Sequence, residues 1–355
     1  MPEKSLFRRL RYPAILATIL VACGPLPARF DPVAWQRHLD ESVALDLFPG
    51  VIAARFDAGS VDYWTAGFAD PANAVAPTPN TLFQIGEVTG IFTVAAAFEL
   101  VRERQLSWNT QAGAFLPAGG QPPRFADEVP ILLRHLATHS ADLPPLPLDL
   151  DDSGPRQPFA AYDRASLYRS LARLARLNRP PGSHYQFSLF GMGLLGHVLE
   201  LRTSQPYAEI VRANVTGPLS LSGIVVEPSP DQTVAVGHKA ITRVPTWDYG
   251  ALVGGGGLFA NAEALVGFTR AAANYRPNPL ARTFQQMQTS ILPTEQANTW
   301  VGFGWHVTTP ANDPLYWQSG QTAGHAAFVG FDLYGQRGVV ILANAGESIE
   351  PLGFH

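Results

Sequence analysis

The stretch Phe83–Leu100, "FQIGEVTGIFTVAAAFEL", decides how the chain is read. It begins as the end of a strand and runs into an amphipathic helix. It then continues through "VTGIFTVAAAFELVRERQLSW", Val88–Trp108, an Ala-rich run without proline that has the composition of a buried helix. Glu87 stands where strand passes into helix, with Gly90 three residues on. The positive end of a helix dipole favours an ionised carboxylate at that place, whereas apolar surroundings favour the neutral acid.

Working outward, "FDPVAWQRHLDESVALDLF" (Phe30–Phe48) has apolar residues at helical spacing, and "PGVIAARFDAGSVDYWTAGFAD" (Pro49–Asp70) reads as two strands joined by a Gly-containing turn. From about Trp108 to Pro230 the pattern is helix and loop, clearest in "EVPILLRHLATH", "RASLYRSLARLARL" and "MGLLGHVLELRT". Strands return after Trp300 in "VGFGWHVTT", "LYWQSG", "HAAFVGFDLYG" and "QRGVVILANAG". Strands at both ends with helices between them predict an α/β (α+β) sandwich. In it one antiparallel sheet is built from both ends of the chain and flanked by helices, with a mainly helical subdomain over about 108–235.

The 355 residues are 46% hydrophobic and 15% charged, a globular composition with enough chain for a large core. A net charge of −4, with 25 Lys and Arg dispersed along the chain, argues against nucleic acid as a partner. No metal or cofactor motif is found. Gly254–Gly257 lack the lysine and hydroxyl residue of a P-loop and read as a close backbone approach. The N-terminal segment differs from the rest. Lys4, Arg8, Arg9 and Arg11 precede the apolar run "YPAILATILVA", too short to span a bilayer, and the run ends in "LVACG". Residues 1–23 therefore read as a lipoprotein-type export signal, with Cys23, the single cysteine, as the lipid anchor, and 24–47 as linker and first helix. Without an acidic residue after Cys23, analogy places the anchor in the outer membrane, facing the periplasm.

Several separated segments now form a set: "TLFQIGEVTGIFTVAA", "LLRHLATHSADLP", "PPGSHYQFSLFGMGLLGHVLE", "LVGGGGLFANAEALVGF", "GFGWHV" and "YWQSGQTAGHAAFVGFD". In order and spacing they resemble the serine β-lactamase and penicillin-binding-protein superfamily, in its branch of class C β-lactamases, D-alanyl-D-alanine carboxypeptidases and esterases. The resemblance spans Phe48–Asn344 and implies a β-lactamase/transpeptidase-like domain over 48–355. It also implies acyl transfer through a helix-borne Ser-x-x-Lys, a Tyr-x-Asn tyrosine and a Lys-Thr-Gly or His-x-Gly strand motif, with two backbone N–H groups as the oxyanion hole.

Carried over residue by residue, those chemical groups are replaced. The serine position is Glu87 and the lysine position Gly90. The tyrosine and asparagine positions are Phe187 and Leu189, with Ser188 between them. The His or Lys position is Gln318, leaving Gly320 as the match, and the oxyanion N–H groups fall on Glu87 and Gln321. Loss of nucleophile, base and tyrosine removes several orders of magnitude in rate. A non-catalytic binding or regulatory protein of the envelope, taking a small molecule or cell-wall peptide, ranks first. Behind it stand two readings of equal weight: a repurposed pocket with Glu87 as general acid or base, and a Glu87 that merely caps its helix. Residual serine chemistry through Ser188 or Ser319, both expected near the pocket, ranks last.

Three further features are weaker. His135 and His139 lie four apart but lack an acidic third ligand, and His325, which the resemblance puts near the cleft, reads first as an ordinary strand histidine and only second as a hydrogen-bond partner of Glu87. "DLDDSG", Asp149–Gly154, reads as a solvated loop. The family's long C-terminal helix has no counterpart in "NAGESIEPLGFH", which predicts exposed sheet surface open to a protein partner, or a truncated frame.

Overall fold

A computed structural model describes residues 30–150, 157–310 and 313–354. The signal segment, Cys23 and most of "DLDDSG" lie outside them.

Helix α1 (Pro32–Ala44) starts where Asp31 accepts the N–H groups of Val33 and Ala34 and Pro32 supplies a preset φ at the first turn. Strands β1 (Gly50–Asp57) and β2 (Val61–Gly67) form the expected hairpin. After the short β3 (Phe83–Gln84), α2 (Thr89–Arg102) is buried at every residue from Thr89 to Leu100, as an all-round apolar helix must be.

The middle of the chain carries α3 (Leu133–Ala137), α4 (Arg164–Arg173), α5 (Leu189–Thr203) and α6 (Tyr207–Val211). Next come β4 (Ile224–Val225), β5 (His238–Lys239), β6 (Thr242–Arg243), α7 (Val253–Gly256), β7 (Phe259–Ala260), α8 (Ala262–Ala272) and α9 (Ala281–Met287). The chain then returns to strand as β8 (Leu292–Pro293), β9 (Thr299–Val301), β10 (His306–Thr308), β11 (Leu315–Gln321), β12 (Ala326–Asp332) and β13 (Arg337–Ala343), followed by α10 (Glu350–Phe354).

The principal sheet is antiparallel, in the order β2-β1-β13-β12-β11-β10-β9-β8, so both ends of the chain share it. Two cores result. Inward side chains such as Ile52, Ala327 and Leu342 pack with α2, α5 and α8, where Phe92 and Phe268 meet at 4.1 Å. Outward ones such as Val51, Ala53, Phe328 and Ile341 pack with Trp35 and Leu39 of α1 and Leu352 of α10. The glycines of α7 do let two backbones approach: a Cβ on Gly254 would lie 2.8 Å from the Cα of Gly196 on α5.

The segment expected to leave the sheet exposed carries the five-residue α10 in place of a long helix, and α10 lays Phe354 edge-on against Trp317 at 5.1 Å. The helix expected over "EVPILLRHLATH" shrinks to Leu133–Ala137, because Leu132 is extended and His139 has a left-handed φ of 49°.

Candidate active-site cleft

Glu87 lies in a single turn, Gly86–Val88, between β3 and α2. Two glycines bring that turn onto β11. Gly86 has a φ of +50°, and a Cβ on it would fall 2.6 Å from the Gln321 nitrogen; a Cβ on Gly320 would fall 2.0 Å from the Ile85 carbonyl oxygen. The Glu87 carboxylate consequently folds back onto the strand. Its Oε2 accepts the Gln321 backbone N–H at 2.7 Å. That N–H is one of the two that the resemblance assigns to the oxyanion hole, the other being that of Glu87 itself.

Around the carboxylate stand Gly90, His139, Phe187, Leu189, Met192, Gly255, Gly304 and Gln318, and the space they leave for a water molecule is ≈ 0 Å³. Gly90 does not leave a void. A Cβ there would lie 3.3 Å from Met192 Cγ, so a methionine one turn into α5 occupies the room beside the helix. His139 packs at a tilt against Phe187 with ring centres 4.9 Å apart and accepts the Ser188 N–H on Nδ1 at 3.1 Å. Gln318 donates to the Gly304 carbonyl at 3.2 Å.

Burial raises the Glu87 carboxyl pKa, against the opposing pull of the Gln321 and Glu87 N–H groups. Burial, and then the Glu87 charge, push the Tyr249 hydroxyl well above its ordinary value; that hydroxyl is buried without a hydrogen-bond partner. Burial also pushes His139 down to about 3 and His306 down to about 4.

Of the residues singled out from sequence, Glu87, Gly90, Phe187, Leu189 and Gln318 converge by side chain or Cα, and Gly320 and Gln321 by backbone. Others do not join them. Ser188 caps α5, accepting the Gly191 N–H at 2.8 Å and donating to the Pro144 carbonyl at 2.7 Å. Ser319 points to the opposite face of the sheet, where it donates to Glu350 at 3.1 Å. Neither seryl hydroxyl faces Glu87, correcting the expectation that both lie near the pocket.

His325 does not bond Glu87 either. Its Nε2 meets the Ala235 carbonyl at 3.0 Å and its ring stands edge-on to Phe83. His135 turns away from His139, Nδ1 accepting the Leu132 N–H at 3.1 Å. Among the described residues no group of three metal-ligating side chains gathers. Met192, Tyr249 and the packing role of His139 were missed by sequence reasoning. The i, i+3 spacing from Leu189 to Met192 was the one available signal for the methionine.

A family model described as Beta-lactamase matches residues 35–353. The chain belongs to the Beta-lactamase family. Esterase EstB of Burkholderia gladioli is 28% identical over 344 residues, covering 84% of this chain and 82% of the esterase. Among solved structures, the octameric penicillin-binding protein homologue from Pyrococcus abyssi superimposes with a TM-score of 0.80 at 20% identity, covering 91% of this chain and 76% of that one. The class C beta lactamase from Rhodobacter sphaeroides does so with a TM-score of 0.75 at 20% identity, covering 88% and 94%. In this Beta-lactamase-family chain the glycine contacts of Gly86 and Gly320 hold the turn before α2 against β11, and the carboxylate of Glu87 occupies the Gln321 N–H.

Proposed function

We propose that this chain is a catalytically silent Beta-lactamase-family protein, exported and lipid-anchored through Cys23, whose role is binding or regulation at the cell envelope. The observation that carries the reading is the Glu87 carboxylate seated on the Gln321 N–H at 2.7 Å, in a cleft with no space for water. An acyl carbonyl entering the cleft meets the Glu87 carboxyl group already seated on the Gln321 N–H, so the charge of a tetrahedral intermediate does not find that donor free. Neither Ser188 nor Ser319 takes the place of the nucleophile, because the hydroxyl of each is committed elsewhere. A small molecule or cell-wall peptide that uses the cleft has to displace Glu87 with its own carboxylate or carbonyl.

The experiment is turnover of a chromogenic β-lactam and a p-nitrophenyl ester, with thermal shift against D-Ala-D-Ala peptides. No turnover by wild-type protein, with a peptide-induced shift that grows in Glu87→Ala, is the expected result; turnover abolished by Ser188→Ala overturns the reading. Labelling with a fatty-acid analogue that is lost in Cys23→Ala tests the anchor.

One observation favours a second reading, a repurposed acid–base pocket: the partnerless Tyr249 hydroxyl within the field of Glu87. Under it, any hydrolysis found shows a pH profile that shifts in Glu87→Gln and collapses in Tyr249→Phe.

A further inference from the structure

On the face of the principal sheet away from Glu87, α1 and α10 leave a groove of ≈ 460 Å³. Its floor is made by outward positions of β11, β12 and β13. Gly330 stands opposite Trp317 in register and two residues from Phe328, and a Cβ on it would lie 3.0 Å from the Phe328 ring. The absence of a side chain there deepens the floor. Phe30, Trp35 and Phe354 form the walls.

Most polar groups at this groove are already engaged. Asp31 accepts two N–H groups at the start of α1, and Asp332 pairs with Arg337 Nε through Oδ2 at 3.3 Å while its Oδ1 is buried without a hydrogen-bond partner. Arg55 differs. It is half-buried on β1 with Asp62 opposite it on β2, its guanidinium lies 4.8 Å above the Phe30 ring, and it makes no ion pair with any described residue. An aromatic-walled space of this size with one uncommitted cation has the make-up of a small-molecule site, for which roughly 300–1,000 Å³ is usual.

We propose that the groove binds a small anionic amphiphile of the medium-chain fatty-acid class, its chain lying over Gly330 between Trp317, Phe328 and Phe354 and its acidic head meeting Arg55. The partly desolvated guanidinium gains a charge-assisted hydrogen bond that neither Phe30 nor water supplies as well. The site is independent of the reading of Glu87, since the two lie on opposite faces of one sheet.

The probe is dodecanoate below its micellar range, followed by tryptophan fluorescence, with dodecanol as the neutral control and light scattering for mass. Saturable one-to-one binding is expected, with Arg55→Gln weakening dodecanoate at least about tenfold and leaving dodecanol unchanged, an effect of one charge-assisted contact. Gly330→Leu is expected to abolish both. If that variant does not fold, Ala34→Trp fills the groove from an exposed position on α1. The proposal is overturned by no saturable binding to wild-type protein, by undiminished binding to the filled variants, or by equal loss of dodecanoate and dodecanol in Arg55→Gln. It is also overturned by a wild-type dimer that dissociates when the groove is filled, which makes a second copy the occupant.

Discussion

Strand β11 presents two unlike surfaces. Gln318 and Gly320 face the helices and the cleft of Glu87, whereas Trp317 and Ser319 face α1 and α10. The first surface lies where the family's chemistry is expected, and it is closed to water; the second lies behind it and opens into ≈ 460 Å³. Family likeness thus locates a cleft without establishing that it is accessible, and this open groove lies where the family motifs give no signal. What closes the cleft is a local trade. Two glycines allow the turn at Glu87 to touch β11, and a carboxylate and a methionine then fill the room.

The largest expected effect falls on the closure itself. Met192 is 2% exposed, and Met192→Ala should cost about 2–5 kcal/mol, as removal of a buried methionine side chain does. The same variant should open the cleft beside Gly90, so that water or a small apolar probe enters a crystal of the variant and none enters wild type. Unchanged stability means that Met192 does not hold the cleft shut.

Next is Gly320→Ala, whose methyl group meets the Ile85 carbonyl oxygen at 2.0 Å. Overpacking of this kind costs about 1–3 kcal/mol, read as a lowered Tm. Gly59→Ala, with its nearest contact at 3.5 Å, should change little and serves as the control.

The pH dependence separates two kinds of buried group in the same cleft. The folded-state pKa of Glu87 is raised, so the folded chain holds that proton more tightly than the unfolded chain does. Its contribution is complete below the unfolded glutamate value and is lost as pH rises through the raised one. The stability of wild type relative to Glu87→Gln should therefore decline with rising pH, and a flat difference refutes the shift. His139 has the opposite sign. Held down to about 3, it contributes fully above its unfolded value of about 6.5, and that contribution is lost as pH falls from there. A His139→Gln variant should show a shallower loss of stability between neutral pH and mild acid. The smallest effect belongs to the outer groove, where Arg55→Gln should change stability by under about 0.5 kcal/mol, since a half-buried charge without an ion-pair partner among the described residues holds little of the fold together.

Much of this was legible beforehand. Alternation in Gly50–Gly67 and in Leu315–Ala343 gave the sheet, and the unbroken apolar run after Thr89 gave the buried helix. The period of two along β11 already implied that Ser319 points away from Gln318 and Gly320, a signal present in "YWQSGQ" and not used. Met192 and Tyr249 were not legible, because their approach to Glu87 depends on how α5 and the segment before α7 pack on α2, which local pattern does not encode. The short α3 depends likewise on a left-handed residue at His139 that the apolar spacing of its neighbours conceals.

The most direct test of the sealed cleft is the intact mass of the purified wild-type protein after prolonged exposure to a labelled penicillin, with a triple variant, Glu87→Ser with Gly90→Lys and Phe187→Tyr, beside it. Wild-type protein is expected to keep its unmodified mass at every time and concentration. A mass increase of one acyl group on wild-type protein contradicts the claim that Glu87 closes the site to acyl transfer.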